Sequence, residues 1–131
     1  MIKLYTDAGL NTNQNLAAIA FVYQTENKRD SNVQQVAAAD NHELEFQAVK
    51  LGLSTLIEQN LNNDILQLLS DSQIVTDSIE KKYSKHYQPM VDEIIPMLEK
   101  FPAYFVKHIS DKQNKAAHSL IHQELIHLRK S

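Results

Sequence analysis

The sequence predicts a mixed α/β sheet with helices on its faces. Three observations predict it. Three β-prone segments near the N-terminus are joined by short, turn-rich links, the pattern of an antiparallel meander. From about Asn41 the apolar period changes from strand-like to helical. Two later apolar runs, residues 64–70 and 103–109, are too short for helices and lie between helical segments, as strands of an α/β sheet do. The order is βββ-α-β-α-α-β-α, five strands in all.

The first strand is residues 2–7, "IKLYTD", which alternates and ends on Asp7. "GLNTNQN" at residues 9–15 is dense in turn formers and reads as a loop. "LAAIAFVYQ" from Leu16 is the second strand, "TENKRDS" turns the chain, and "NVQQVAAA" from Asn32 is the third, anchored by Val33 and Val36. Asp40 or Asn41 suits the N-cap of the first helix, where Leu44, Ala48, Leu51 and Thr55 keep helical spacing. "DILQLLS" (64–70) is a buried strand, residues 72–80 form a short helix, and "KKYSKHYQP" (81–89) is a polar loop. "MVDEIIPMLEKF" is helical from Pro89, with Pro96 inside it predicting a kink or two short helices. "AYFVKHI" (103–109) is the fifth strand. A last helix starts at Asn114 and carries the stripe Ala117, Leu120, Ile121, Leu125 and Leu128.

A chain of 131 residues suffices for one core, so residues 1–131 are read as a single domain. The absence of cysteine excludes disulfides and thiolate metal sites. No apolar run is long enough to span a bilayer, and Met1 leads straight into "IKLYTDA" without a signal-peptide pattern, so the expected location is cytoplasmic. The net charge of −3 does not mark a nucleic-acid binder, but it is unevenly spread. Residues 1–80 hold 4 basic and 11 acidic side chains; residues 81–131 hold 9 and 5. An acidic half beside a basic half suits a cation site next to a phosphate-contacting surface, although solvated faces also fluctuate by this much.

Asp7 ends a strand, Glu45 lies near the start of a helix, and Asp71 ends the strand of "LQLLSDSQIVTDSI". Strand ends and helix starts are where α/β sheets gather ligands. Taken singly, each acid has an ordinary explanation: a turn residue, a dipole-favoured acid, a helix cap. Taken together, three converging carboxylates would raise each other's pKa unless cations neutralise them, and hard oxygen donors select Mg²⁺ or Mn²⁺. Two such ions about 3.5–4 Å apart clamp an in-line displacement at phosphate.

Four motifs resemble the ribonuclease H type 1 family, in particular its short reverse-transcriptase-like bacterial branch, over essentially the whole chain. "YTDAG" resembles its strand-1 motif. "DNHELEFQAVKLGL" resembles its helical glutamate motif, with the glutamate at Glu45 rather than Glu43. "LLSDSQIVTDSI" and "VKHISDKQNKAAHSLIHQ" resemble its last two. The resemblance implies an RNase H-like fold, three antiparallel strands followed by two parallel ones. It implies cleavage of the RNA strand of an RNA·DNA hybrid with two Mg²⁺ or Mn²⁺ ions. Asp7 would bridge the ions, with Glu45 and Asp71 flanking them. Asn41 and Gln73 fall where the family contacts the hybrid's minor groove, and reading 2′-hydroxyls there tells RNA from DNA.

The fourth acidic position of the family is His118 here. Asn114, Ala117 and Leu120 match around it. Either His118 remains a metal ligand and shifts the preference from Mg²⁺ towards Mn²⁺ or Zn²⁺, or activity is impaired and the chain is a silent module binding nucleic acid or protein. A third alternative is a metal-dependent nuclease on another nucleic-acid substrate. His118 and His122 also have the i, i+4 spacing of helical zinc ligands, without a third ligand in view. His108 matches a family position and reads as structural. Ala8 replaces the family's glycine, with Gly9 next, which predicts an altered turn. Ser110-Asp111 replaces a Pro-Arg pair, and Lys81, Lys82 and Lys85 are the nearest substitute for a basic grip. The few cationic contacts leave room for a partner that supplies affinity for nucleic acid.

Overall fold

The computed structural model describes residues 1–131. Its strands are β1 (Ile2–Asn11), β2 (Leu16–Gln24), β3 (Arg29–Val36), β4 (Leu66–Ser70) and β5 (Tyr104–His108). Its helices are α1 (Asn41–Glu58), α2 (Gln73–Lys81), α3 (Gln88–Leu98) and α4 (Lys115–Lys130), with a single 3-10 turn at Asp111–Asn114. The sheet order is β3-β2-β1-β4-β5. β1 pairs antiparallel with β2, and β2 with β3, while β1–β4 and β4–β5 are parallel. This is the mixed sheet the sequence predicts, with β1 at its centre.

Strand alternation divides the side chains between two faces. Ile2, Leu4, Phe21, Tyr23, Leu66 and Leu68 point to one face and form the main core with α1, α2 and α3. On the other face α4 lays Ile121 against Ala18 and Ala20. Small residues on β2 bring α4 close to the sheet, and β1, β2 and β3 are the strands it touches.

Four boundaries differ from the sequence reading. β1 runs on to Asn11 rather than ending at Asp7, because Ala8 to Asn11 stay paired with β2. The turn formers of that loop are reduced to residues 12–15. β3 lies at 29–36 rather than 32–39, since a tight turn closed by Thr25 N–H donating to the Lys28 carbonyl at 2.7 Å sets its register. Val33 and Val36 still anchor it, on opposite faces. α3 is one helix: Pro96 falls in its last turn, where one lost N–H does not divide it. The last helix begins at Lys115, one residue later than expected, after the 3-10 turn.

Gly9 has a different role from the altered turn expected of it. β1 passes straight through it, and a Cβ there would collide with Ile121 of α4 and meet Leu125 at 3.1 Å. Its bare backbone therefore sets how closely α4 docks. Gly9→Ala is expected to cost about 1–3 kcal/mol through overpacking, read as a lower thermal midpoint. An unchanged midpoint would show that α4 shifts without penalty.

Candidate metal centre

Three elements each deliver one carboxylate to the same point. β1 carries Asp7 beside its neighbour β4, and the first residue beyond β4 is Asp71. Glu45 sits one turn into α1, whose start is fixed from outside the helix. Asp40 caps α1, accepting from the N–H groups of His42 and Glu43 at 3.0 and 3.1 Å, and Tyr87 donates its hydroxyl to the same carboxylate at 2.8 Å. Asp40, not Asn41, is thus the cap; Asn41 is the exposed first helical residue.

Ligand atoms of Asp7, Glu45 and Asp71 all lie within 4.8 Å of one another, the only group of three or more metal-ligating side chains in the chain to do so. Asp71 does not cap the helix after it. Ser72 does, accepting from the Val75 N–H, and its own N–H donates to Ser70 Oγ at 3.0 Å. The Asp71 carboxylate is left free to face the other two acids. Asp7 and Glu45 are buried, and Glu45 Oε2 has no hydrogen-bond partner.

Burial and mutual repulsion penalise ionisation here. Burial foremost, then the Asp71 charge, pushes Asp7 up to about 6. Burial, then the charges of Asp7 and Asp71, pushes Glu45 up to about 9. Burial also raises Asp71, against the lowering effect of its hydrogen bond from Asn114. A buried carboxylate oxygen without a donor, in a cluster whose members oppose each other's charge, fits a divalent cation.

His118 of α4 stands at the rim, its side chain 65% exposed, with Nδ1 3.3 Å from Asp7 Oδ2. It touches the cluster through that contact and lies outside the set of three convergent carboxylates. His122 joins no metal-ligating group with it, so the zinc pairing finds no support. Gln73 is exposed at the start of α2, its amide donating to Asp77 Oδ1 at 2.8 Å. His108 Nε2 is 3.2 Å from the Asp71 carbonyl, a backbone contact in keeping with a structural role.

The residue whose importance sequence reasoning underrates is Asn114. It is 1% exposed, and its Nδ2 donates to the Thr6 carbonyl at 2.9 Å and reaches Asp71 Oδ2 at 3.4 Å. One amide thereby ties the start of α4 to β1 and orients Asp71. Its presence in the fourth motif was the available signal. Asn114→Ala is expected to weaken divalent-cation affinity about 10–100-fold, as loss of a group orienting a ligand does, measured by calorimetric titration. Unchanged affinity would show that Asp71 needs no such support.

The reverse transcriptase-like family profile matches residues 5–123, spanning all four motifs. The chain belongs to this RNase H-like family. It is 33% identical over 127 residues to the Enterococcus faecalis (strain ATCC 700802 / V583) protein named "Putative hydrolase EbsB", covering 95% of this chain and 94% of that one. Its fold resembles that of RNase H1 from Halobacterium salinarum NRC-1 (TM-score 0.76, 19% identity, 91% of this chain and 92% of that one). The N-terminal RNase H domain of rv2228c from Mycobacterium tuberculosis superposes with TM-score 0.80 at 18% identity, over 91% and 94% of the two chains. LC11-RNase H1, solved in complex with an RNA/DNA hybrid, gives 0.82 at 19% identity over 94% and 95%. The RNase H-like fold of this family member is the one its motifs led us to expect.

Proposed function

We propose that this RNase H-like chain is a divalent-metal-dependent endoribonuclease that cleaves the RNA strand of RNA·DNA hybrids. The observation that carries the proposal is the convergence of Asp7, Glu45 and Asp71 around a buried, unpartnered carboxylate oxygen. Asp7, Glu45 and Asp71 would hold two Mg²⁺ or Mn²⁺ ions, with His118 adding a neutral ligand at the rim. When bound, such ions supply an activated water and stabilise the charge that develops on the phosphate and the leaving oxygen. The rest falls to the chain. Asn114 aims Asp71. Asp7, on the central strand, keeps the site rigid with respect to the sheet.

Asn41 and Gln73 stand exposed at the starts of α1 and α2 and would contact minor-groove 2′-hydroxyls from there. Gln73 exchanges its surface contact with Asp77 for one to substrate at small cost. Lys81 and Lys85 line a hollow of about 300 Å³ beside α2 and provide the local cationic contact. The RNA/DNA hybrid bound to LC11-RNase H1 supports the choice of substrate, and the hydrolase name of the Enterococcus relative supports the reaction class.

The experiment is cleavage of a labelled hybrid in Mg²⁺ and in Mn²⁺, with duplex DNA, duplex RNA and single strands as controls. Hybrid-only cleavage leaving 3′-hydroxyl and 5′-phosphate ends is the expected result. Cleavage of another substrate instead would keep the metal centre and replace the specificity. His118→Asp is expected to raise Mg²⁺ activity several-fold relative to Mn²⁺, since it restores a negative charge that a hard ion prefers. The exposed position of His118 also favours a second reading, a silent module; hybrid binding without cleavage in either metal, in both variants, would establish it.

A further inference from the structure

α4 packs on the outer sheet face at Gly9, Ala18, Ala20 and Val33; farther along, that face carries exposed side chains on β1, β2, β3 and β5. Two cross-strand rows run over the open part. In one, Arg29, Gln24, Lys3, Gln67 and Phe105 lie side by side across the five strands. In the next, Ser31, Val22, Tyr5, Leu69 and Lys107 do the same, with Val22 and Leu69 buried, Tyr5 half-buried and the two ends exposed. The ten positions of these rows carry three cations, two aromatic rings and no acid, in a chain whose net charge is −3. Phe105 is 57% exposed, and Lys3, Arg29 and Lys107 are exposed as well. Arg29 and Lys115 also flank a hollow of about 230 Å³ floored by Tyr5 and Val22. Of the neighbouring acids, Asp64 binds the N-terminal ammonium at 2.7 Å, Asp30 beside Arg29 belongs to the opposite sheet face, and Glu26 lies in the β2–β3 turn.

We propose that this open sheet face is a second nucleic-acid surface, one that takes a single strand. Adjacent strands are about 4.8 Å apart, so Lys3 stands roughly 10 Å from Arg29 on one side and from Phe105 on the other. Lys3 and Arg29 at that separation suit phosphates of one strand, and Phe105, on the far side of Lys3, offers a face on which an unstacked base can lie. A duplex keeps its bases stacked internally and gains nothing from exposed rings. Two copies packed face to face would bring three like charges against three, which disfavours a symmetric dimer. The proposal does not depend on cleavage at the acidic cluster. Tyr5 lies two residues before Asp7 on the same side of β1, so a strand held on this face stays tethered near the metal centre.

The test is fluorescence anisotropy of a labelled single-stranded oligonucleotide in EDTA at low salt. The wild-type protein is expected to bind it, and an unlabelled duplex is expected to compete poorly. Phe105→Ser is expected to weaken binding about 5-fold or more through loss of one stacked base. The double variant Lys3→Glu/Arg29→Glu is expected to weaken it more than 10-fold and to reduce the slope of log K against log salt by about 1.4, the loss of two phosphate contacts. All three positions are exposed, and matching thermal midpoints would confirm folding. Asp71→Asn should retain this binding, which separates it from the acidic site. Absence of single-strand binding, equal binding by all variants, preference for duplex, or a dimer in sedimentation that Phe105→Ser dissolves would each overturn the proposal.

Discussion

Replacing Asp7 with Asn is expected to lower hybrid cleavage by more than 100-fold in both Mg²⁺ and Mn²⁺. A group that merely orients a ligand already controls metal affinity about 10–100-fold, and Asp7 is proposed as a ligand itself. The amide keeps the shape and the contact with His118 while removing the charge that cations need. The same change relieves repulsion among three clustered carboxylates, two of them buried, so the metal-free protein should be as stable as the wild type or more so. Single-turnover cleavage and thermal melting in EDTA, run on one preparation, measure both effects. Activity within tenfold of wild type would remove Asp7 from the mechanism. Loss of activity with a collapsed midpoint would mean that the carboxylate serves the fold.

The second large effect is a metal-linked dependence of stability on pH. Glu45 is pushed up to about 9 and Asp7 up to about 6, from ordinary values of 4.5 and 3.8. Raised carboxyl pKa values mean that the folded chain holds more protons than the unfolded chain between those limits. The associated stability is fully present below about pH 4 and is lost progressively as pH rises towards 9. Even about 1–2 kcal/mol of this linkage moves the midpoint by roughly 4–8 °C in a chain of this size. In EDTA the midpoint should fall from pH 5 to pH 9, and Glu45→Gln should flatten much of that slope. Divalent cation should reverse the loss, and by more at pH 8 than at pH 5.5, because binding must displace protons from Asp7 and Glu45. At 100 times the dissociation constant the gain is about 2.7 kcal/mol. Parallel slopes for wild type and Glu45→Gln would show that Glu45 ionises freely.

The parts of this fold visible in the sequence are those that local chemistry governs. Helical spacing from Leu44 to Leu56 reports α1 because one face of that helix must be buried. Alternation in "IKLYTD" reports β1, but its true end at Asn11 depends on pairing with Leu16 across a hairpin, and "GLN" alone gives no sign of a partner. The start of β3 was hidden for the same reason: the hairpin closed at Lys28 sets its register, while Arg29, Asp30 and Ser31 are weak strand formers. Pro96 suggested a break because its missing N–H is plain in the sequence, whereas its place in the last turn of α3 is not.

Sequence alone determined which acids were candidates, since Asp7, Glu45 and Asp71 each lie within a legible motif, although Asp7 sits inside β1 and not at its end. It also determined that His118 departs from that pattern. Only the tertiary structure decided that the three carboxylates meet within 4.8 Å, that Ser72 rather than Asp71 caps α2, and that Asn114 spans from the Thr6 carbonyl to Asp71. The physical reason is range. Propensity, capping and periodicity act over a few neighbouring residues and are written in them. Burial and electrostatic repulsion act between residues far apart in the chain, and exist only once the sheet has brought β1, β4 and α1 together.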